Sequence, residues 1–185
     1  MTSQTDHKPT IFLCADHGLA VIYFLQSDVL PTLLDAGLQV VVLTDDALVD
    51  GIKQRFDRPG LAVEGLRLKS AEKYAAEVHP EIQWWLGFLR RVGSSGRINT
   101  EAQDAYVAQV AVEMGRRRLV WMPLARLYIQ GLRRSRRLRQ GLVKFQQRFT
   151  PDLYGDLFER YQPDLVVAST HGWRLDRYLL REAAA

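Results

Sequence analysis

Short apolar runs at the start of the chain alternate with segments whose apolar residues recur at helical spacing. The apolar runs are Thr10–Ala15 and Leu38–Leu43, while Leu61–Leu68 partly alternates and is predicted as a third strand nearer an edge of the sheet. Continuous apolar runs of this length are typical of buried strands in parallel sheets. Leu19–Asp35 and Asp46–Phe56 lie between them and have the spacing of helices. This alternation predicts a doubly wound, Rossmann-like parallel sheet, because right-handed crossovers make successive strands parallel.

The first predicted helix, Leu19–Asp35, has a clear apolar side. Helical spacing puts five residues on this side and predicts that they are buried: Ile22, Leu25, Val29, Leu33 and Ala36. Pro31 lies within the helix and lacks a backbone N–H, so we expect it to kink or divide the helix.

The middle of the chain lacks strand patterns. Helices are predicted at Pro80–Val92, at Thr100–Leu119 and at Met122–Phe149, with Thr100 and Gln103 resembling a capping box. From Leu124 onward, apolar positions follow helical spacing at Leu127, Tyr128, Gly131, Leu138, Leu142, Phe145 and Phe149. We therefore expect a large helical insertion, at about residues 70–150, between strands 3 and 4.

The strand pattern returns near the end. A short helix after Pro151 is predicted to turn Leu153, Tyr154, Leu157, Phe158 and Tyr161 inward. Leu165–Ala168 is predicted as a fourth buried strand, and Trp173–Ala185 as a helix with Leu175, Tyr178, Leu179 and Ala183 at helical spacing. We expect residues 1–185 to form a single Rossmann-like domain, truncated because doubly wound sheets usually have one or two more strands.

Composition narrows the class of protein. Apolar residues make up 47% and charged residues 25% of the chain, as in ordinary globular proteins. Cys14 is the single cysteine, which excludes an internal disulfide and a cysteine-based zinc site, and no metal is expected. The first residues lack the apolar core of a signal peptide, and no apolar run is long enough to span a bilayer. We expect a cytoplasmic protein.

Cations are concentrated in one segment. Arg116–Arg148 contains many basic residues and no Asp or Glu, which predicts a surface that meets an anionic partner. A cluster within it lies beside the apolar positions of the last long helix: Arg133, Arg134, Arg136, Arg137 and Arg139. This pattern is typical of a helix lying on an anionic membrane, which would make the protein peripheral to the membrane's inner face. A core-packing apolar stripe with a solvated arginine face is the alternative, and no recognition motif indicates nucleic acid.

Three stretches resemble a known family. They read IFLCADHGLAVIYFLQSDVLPTLLDAG, LQVVVLT and YQPDLVVASTHGWRLDRYLLREA. Together they are similar to the amino-terminal domain of GT-B glycosyltransferases and of related capsular or surface polysaccharide biosynthesis proteins. The similarity covers about residues 1–70 and 161–185, and the helical middle matches no family pattern.

The resemblance implies a function. In GT-B enzymes the amino-terminal domain binds the acceptor, here a sugar or a lipid-linked sugar, and a second domain binds the nucleotide-sugar donor. This half would hold no cofactor, and the donor would be bound by a missing second domain. We therefore expect the acceptor side of a glycosyltransferase of surface polysaccharide or glycolipid biosynthesis. The resemblance leaves open the oligomeric state.

His17 is the leading catalytic candidate. It follows the first strand, where open α/β sheets bind ligands, and several GT-B enzymes place a catalytic histidine in that loop. A histidine there would take a proton from an acceptor hydroxyl, and Asp16 would orient it. Gly18 would let the backbone approach the ligand. The alternative is a histidine that caps the following helix or meets solvent.

The loop after the fourth strand supplies the remaining candidates. Ser169, Thr170, His171 and Gly172 are predicted to bind substrate, with help from the N–H groups of the next helix. UDP-N-acetylglucosamine 2-epimerases have a similar stretch but carry an aspartate where this chain has Trp173. A UDP-sugar 2-epimerase-like enzyme is therefore one alternative. A non-catalytic module that docks on a membrane or a protein is the other.

Overall fold

The computed structural model describes residues 8–94, 100–168 and 176–185. In chain order the elements of these residues are β1 (Thr10–Ala15), α1 (Gly18–Leu25), α2 (Val29–Asp35), β2 (Gln39–Thr44), α3 (Val49–Arg55), β3 (Leu61–Gly65), α4 (Leu68–Glu77), α5 (Pro80–Val92), α6 (Thr100–Glu113), α7 (Arg116–Leu119), α8 (Met122–Arg134), α9 (Arg136–Gln147), α10 (Gly155–Tyr161), β4 (Leu165–Ala168) and α11 (Arg177–Glu182). The prediction of an α/β protein with a Rossmann-like parallel sheet is confirmed at this level. The assignment to half of a GT-B fold, with an insertion, stays a prediction.

The four strands lie in the order β3-β2-β1-β4, and every neighbouring pair is parallel. The chain moves outward from β1 through β2 to β3 and then places β4 on the other side of β1. The order of strands therefore reverses between β1 and β4. In open α/β sheets, ligands bind outside the carboxyl ends of the strands at such a reversal.

The central strands are apolar because helices cover both faces of the sheet. Leu13, Val40 and Val42 pack with residues of α1, α2 and α3, such as Leu30. Neighbouring residues of a strand point to opposite faces, and Phe12 accordingly packs on the other side. Its ring lies 5.6 Å from that of Phe158 and 6.0 Å from that of Tyr161, both in α10.

The described residues form two compact units. The first consists of residues 1–74 and 150–185 and contains the sheet; we call it the sheet unit. The second, Ala75–Phe149, has helices as the only regular elements of its described residues and is called the helical unit. Its core is built around buried residues of α5, α6 and α8, among them Phe88, Val110 and Ile129. No helix of the described residues is both long enough and apolar enough to cross a bilayer.

The first predicted helix is divided, as expected, but not at Pro31. The break falls between α1 and α2, and Pro31 is the third residue of α2, where the backbone N–H would have no partner within the helix. The predicted burial of Ile22, Val29 and Ala36 is wrong, because all three are exposed. Leu25 is buried as predicted, and the division rotates the helical face of α2 so that Leu30 is buried in place of Val29.

The other long helices were also predicted as too continuous. Met122–Phe149 is interrupted at Ser135, whose backbone is extended and whose hydroxyl accepts the N–H of Leu138 at 3.3 Å. Serine is a favoured N-cap, so it begins α9. The capping box at Thr100 and Gln103 is wrong, because Thr100 already belongs to α6 and Gln103 Oε1, the atom that would accept the Thr100 N–H, has no hydrogen-bond partner among the described residues.

The ends of the sheet unit follow the predicted pattern more closely. Tyr154 and Leu157 are buried as expected, although the helix begins later, at Gly155. In α11, Tyr178 and Leu179 are buried. Ala183 is exposed, which corrects the prediction that it faces inward with them. It lies beyond the last residue of α11, where the helical periodicity no longer applies.

Candidate functional site

The carboxyl end of β1 brings a buried carboxylate and a partly exposed imidazole together. Asp16 Oδ1 lies 2.7 Å from His17 Nδ1. The Asp16 side chain is 0% exposed and that of His17 is 29% exposed. The aspartate therefore lies beneath the histidine, which is the arrangement in which a carboxylate fixes the orientation and tautomer of an imidazole.

The alternative for His17, that its side chain caps the following helix, does not describe the structure. His17 is the residue that precedes α1, but its side chain makes no capping hydrogen bond. Its backbone is extended, with φ −158° and ψ 165°. The ring instead contacts Asp16, and with Nδ1 donating to that carboxylate the lone pair of a neutral ring is on Nε2, the atom that accepts a proton.

Gly18 begins α1 beside the imidazole. A Cβ built on Gly18 would meet no atom within 4 Å. The absence of a side chain is therefore not needed for packing, and the space next to the first turn of α1 is open. Backbone N–H groups at the start of a helix have no partner within the helix, so they suit a polar ligand group.

Cys14 and Asp176 lie behind this pair. Burial, together with the neighbouring carboxylates of Asp176 and Asp16, raises the pKa of the Cys14 thiol. The thiol is therefore protonated at neutral pH and unreactive, in agreement with the prediction that it is part of the core. The sequence did not indicate Asp176, which is 0% exposed, because it lies far along the chain and shares no motif with Asp16.

The acidic residues after β2 support the backbone. The Asp45 carboxylate accepts the N–H of Ala47 at 3.0 Å, as in an Asx turn. The Asp46 carboxylate accepts the N–H groups of Arg67 at 2.9 Å and Leu68 at 2.7 Å, where α4 begins. Both carboxylates therefore accept hydrogen bonds from the local backbone.

The other substrate-binding candidates lie outside the described residues. These are Ser169, Thr170, His171 and Gly172, together with Trp173. Their assignment to substrate stays a prediction. No group of three or more His, Cys, Asp or Glu side chains within residues 8–94, 100–168 and 176–185 has the geometry to hold a metal ion.

The predicted arginine cluster of the helical unit divides into two groups. Arg133 forms an ion pair with Asp104 at 2.8 Å and donates to the Val92 carbonyl. Arg139 donates to the carbonyl of Leu132 at 2.6 Å, near the end of α8. These two arginines therefore stabilise the helical unit itself. The other three arginines of the cluster are exposed: Arg134, Arg136 and Arg137.

The apolar positions beside this cluster face solvent. Leu127 is 66% exposed and Leu124 59% exposed, and Tyr128 is exposed beside them on α8. We call Leu124, Leu127 and Tyr128 the apolar ridge. The core-packing interpretation of the stripe is wrong for Leu127 and Tyr128, as it is for Leu138 and Phe145. A different stripe of α8 is buried in its place: Met122, Ala125, Ile129 and Leu132.

Comparisons of the chain with protein-family models, with curated proteins and with solved structures found no match.

Proposed function

We propose that the sheet unit is the acceptor-binding side of a glycosyltransferase-like enzyme and that His17 is its general base. The observation that carries the proposal is the Asp16–His17 pair at the carboxyl end of β1, where the order of strands reverses. The resemblance of the β1–α1 and β4–α11 segments to GT-B amino-terminal domains supports a sugar as the ligand.

In the proposed reaction, Nε2 of His17 takes the proton of an acceptor hydroxyl. The hydroxyl oxygen forms a bond to the anomeric carbon of the donor sugar, and the bond from that carbon to the nucleotide diphosphate breaks. The diphosphate leaves with the electron pair. Asp16 stabilises the imidazolium that forms, because its carboxylate lies 2.7 Å from Nδ1. The donor would be held by a second domain.

Binding of the acceptor can be tested without the donor. Saturation-transfer NMR of the chain with a panel of mono- and disaccharides should reveal a sugar whose signal is weakened by His17→Ala. Gly18→Ala should weaken the signal as well, because the new methyl group fills the open space beside the ring while leaving the fold unchanged. His79→Asn is the matched control, since His79 belongs to the helical unit and asparagine tolerates its positive φ of 48°.

The proposal requires that the two variants and the control differ. Equal signals from the wild-type chain, His17→Ala and His79→Asn would show that the sugar binds elsewhere. If no saccharide of the panel binds at all, the acceptor function is wrong for this unit.

The apolar ridge favours a second candidate function, docking of the helical unit on an anionic membrane surface. Exposed Arg126 and Arg134 flank the ridge on α8. On α9, Leu138 and Phe145 are both exposed and lie two helical turns apart. Each follows a basic residue in the sequence, Arg137 or Lys144. Apolar side chains that enter the acyl boundary, with cations at the headgroups, are the features of a helix bound to an interface.

Flotation with vesicles tests this candidate. The chain should float with phosphatidylcholine vesicles that contain phosphatidylserine and not with pure phosphatidylcholine vesicles. Leu124→Ser with Leu127→Ser should reduce flotation. The matched control is Leu19→Ser with Ile22→Ser, two exposed apolar residues of α1 in the sheet unit. If both pairs reduce flotation equally, the ridge is not the docking surface.

A further inference from the structure

A cleft of about 540 Å³ lies within the helical unit. This volume falls within the range of about 300–1,000 Å³ that is usual for ligand pockets. Trp85 of α5 and Trp121, which precedes α8, line it together with the arginines of α7. Aromatic and basic side chains therefore face the same space.

One arginine of the cleft is neutralised by the protein. Arg118 donates two hydrogen bonds to the Glu81 carboxylate, at 2.8 Å from Nε and 2.7 Å from Nη2. Its guanidinium carbon also lies 4.3 Å from the centre of the Trp84 ring. The hydrogen bonds from Arg118 lower the pKa of Glu81, so the carboxylate stays charged and keeps Arg118 in place. Arg118 and Glu81 thus form an ion pair with no net charge at the edge of the cleft.

The charges of the other two arginines of the cleft are not neutralised by ion pairs within the described residues. Arg116 and Arg117 are exposed, and neither forms an ion pair with any residue of the described parts of the chain. Guanidinium groups suit the oxygens of a phosphate, because each can donate two parallel hydrogen bonds to them. The charge of the cleft therefore fits a ligand with a phosphate group.

Exposed apolar residues follow these arginines directly. Val120 is 77% exposed and Trp121 59% exposed, and Leu119 is also exposed. Leu124 of the apolar ridge lies one helical turn further along. A phosphate with a long apolar portion would satisfy both parts of this surface, because its charge would meet the arginines while its chains lay along Trp121 and Leu124.

We propose that the cleft binds the phosphate headgroup of an anionic lipid, with Arg116 and Arg117 contacting the phosphate and Trp121 contacting the lipid chains. The proposal deepens the membrane-docking candidate and rests on it. It is independent of the sugar-binding proposal for the sheet unit. A general attraction of cations to a bilayer would need no particular arginine, whereas this site requires the two in the cleft.

Calorimetric titration with dihexanoyl phosphatidic acid, kept below its micelle-forming concentration, tests the site. Arg116→Gln with Arg117→Gln should weaken binding about tenfold or more, because two charge-assisted contacts are lost. Arg55→Gln with Arg58→Gln is the matched control, with the same change of charge on two exposed arginines that belong to the sheet unit and lie outside both the cleft and the docking surface. It should change binding less than about twofold. Thermal unfolding of each variant checks that the unit is folded.

The outcomes separate the cleft from the docking surface. Equal losses in the two double variants would overturn the cleft, even if the chain still floats with phosphatidylserine vesicles. Glycerol phosphate that binds as tightly as the short-chain lipid would overturn the lipid assignment, because the apolar residues would then contribute nothing. Failure of both flotation and titration would overturn the docking surface together with the cleft.

Discussion

The two units of this chain use apolar residues in opposite ways. In the sheet unit, the large side chains of β1 and β2 are enclosed, and the polar groups gather at the carboxyl end of the strands. In the helical unit, α8 has an apolar stripe on each of two faces, and only one of them is buried. A leucine at helical spacing is therefore not enough, by itself, to predict that the residue is buried in the core.

The difference also concerns where charge is placed. In the sheet unit, the buried carboxylate of Asp16 contacts the ring of His17 and orients that one side chain. The cations of the helical unit are mostly exposed and spread over several helices. A buried carboxylate is suited to orienting a reacting group, while a spread of exposed cations is suited to an extended anionic surface.

The largest effect on the free energy of unfolding is expected where a buried leucine and an exposed leucine are each shortened. Leu30 of α2 is 1% exposed, so Leu30→Ala should destabilise the protein by about 2–5 kcal/mol. Leu127→Ala removes the same atoms from the ridge and should change the free energy of unfolding by less than about 0.5 kcal/mol. Urea unfolding of both variants measures the difference. A large loss for Leu127→Ala would mean that the ridge is covered within the protein.

Glycine substitutions give effects of opposite sign in the two units. A Cβ on Gly65 would collide with the Asp46 carboxylate, which holds the start of α4. Gly65→Ala should therefore destabilise the protein by about 1–3 kcal/mol, the cost of disturbing buried or capping polar contacts. Gly87 lies inside α5 with no atom near its would-be Cβ. Gly87→Ala should stabilise by about 0.5–1 kcal/mol.

Thermal unfolding of the two glycine variants checks these signs. Asp46→Asn provides a control for Gly65→Ala, since it weakens the same contacts without adding a Cβ. If Gly65→Ala were neutral while Asp46→Asn is destabilising, the close approach of the carboxylate to Gly65 would not be needed.

The smallest effects concern one exposed Arg–carboxylate pair in each unit. Arg67 donates to Asp156 at 2.7 and 2.6 Å in the sheet unit, and these bonds lower the pKa of the Asp156 carboxyl. Arg118 lowers the pKa of Glu81 in the same way in the helical unit. A carboxyl whose pKa is lower in the folded state stabilises the fold above its unfolded pKa. This stabilisation is lost as the pH falls through the folded pKa.

Asp156→Asn should therefore cost less than about 1 kcal/mol at neutral pH, because the pair is exposed to solvent. The difference from the wild-type chain should shrink between neutral and acidic pH, as the pH falls through the lowered folded-state pKa of Asp156. Glu81→Gln should show the same pH trend. Urea unfolding at the two pH values measures both, and a difference that persists in acid would show that the variants act through packing.

The sequence was sufficient for β1 and β2 because each is a continuous apolar run, whereas the predicted burial of β4 is wrong at Leu165, which is exposed. It was insufficient for α8, where two stripes satisfy helical periodicity equally well. One contains Ile129 and the other Leu127. Only packing against α5 and α6 decides which stripe is buried, and that information lies in residues distant along the chain.

The candidate sites were likewise predicted only in part from the sequence. His17 was found because the carboxyl end of a first strand is the usual ligand position in such sheets. Its contact with Asp16 depends on local backbone angles, which the sequence does not specify. The sequence indicated the cleft only as part of a long basic segment. It did not show that Arg118 pairs with Glu81 while Arg116 and Arg117 form no ion pair in the described parts of the chain, because Glu81 is distant along the chain.

Amide chemical-shift mapping of the isotope-labelled chain tests most directly the claim that the units bind different ligands. The saccharide identified by saturation transfer and dihexanoyl phosphatidic acid would be titrated separately. We expect the saccharide to shift signals around Asp16–Gly18 and the lipid to shift signals around Gly115–Trp121, with no overlap. A single set of residues responding to both ligands, or a saccharide that leaves Asp16–Gly18 unchanged, would contradict this expectation.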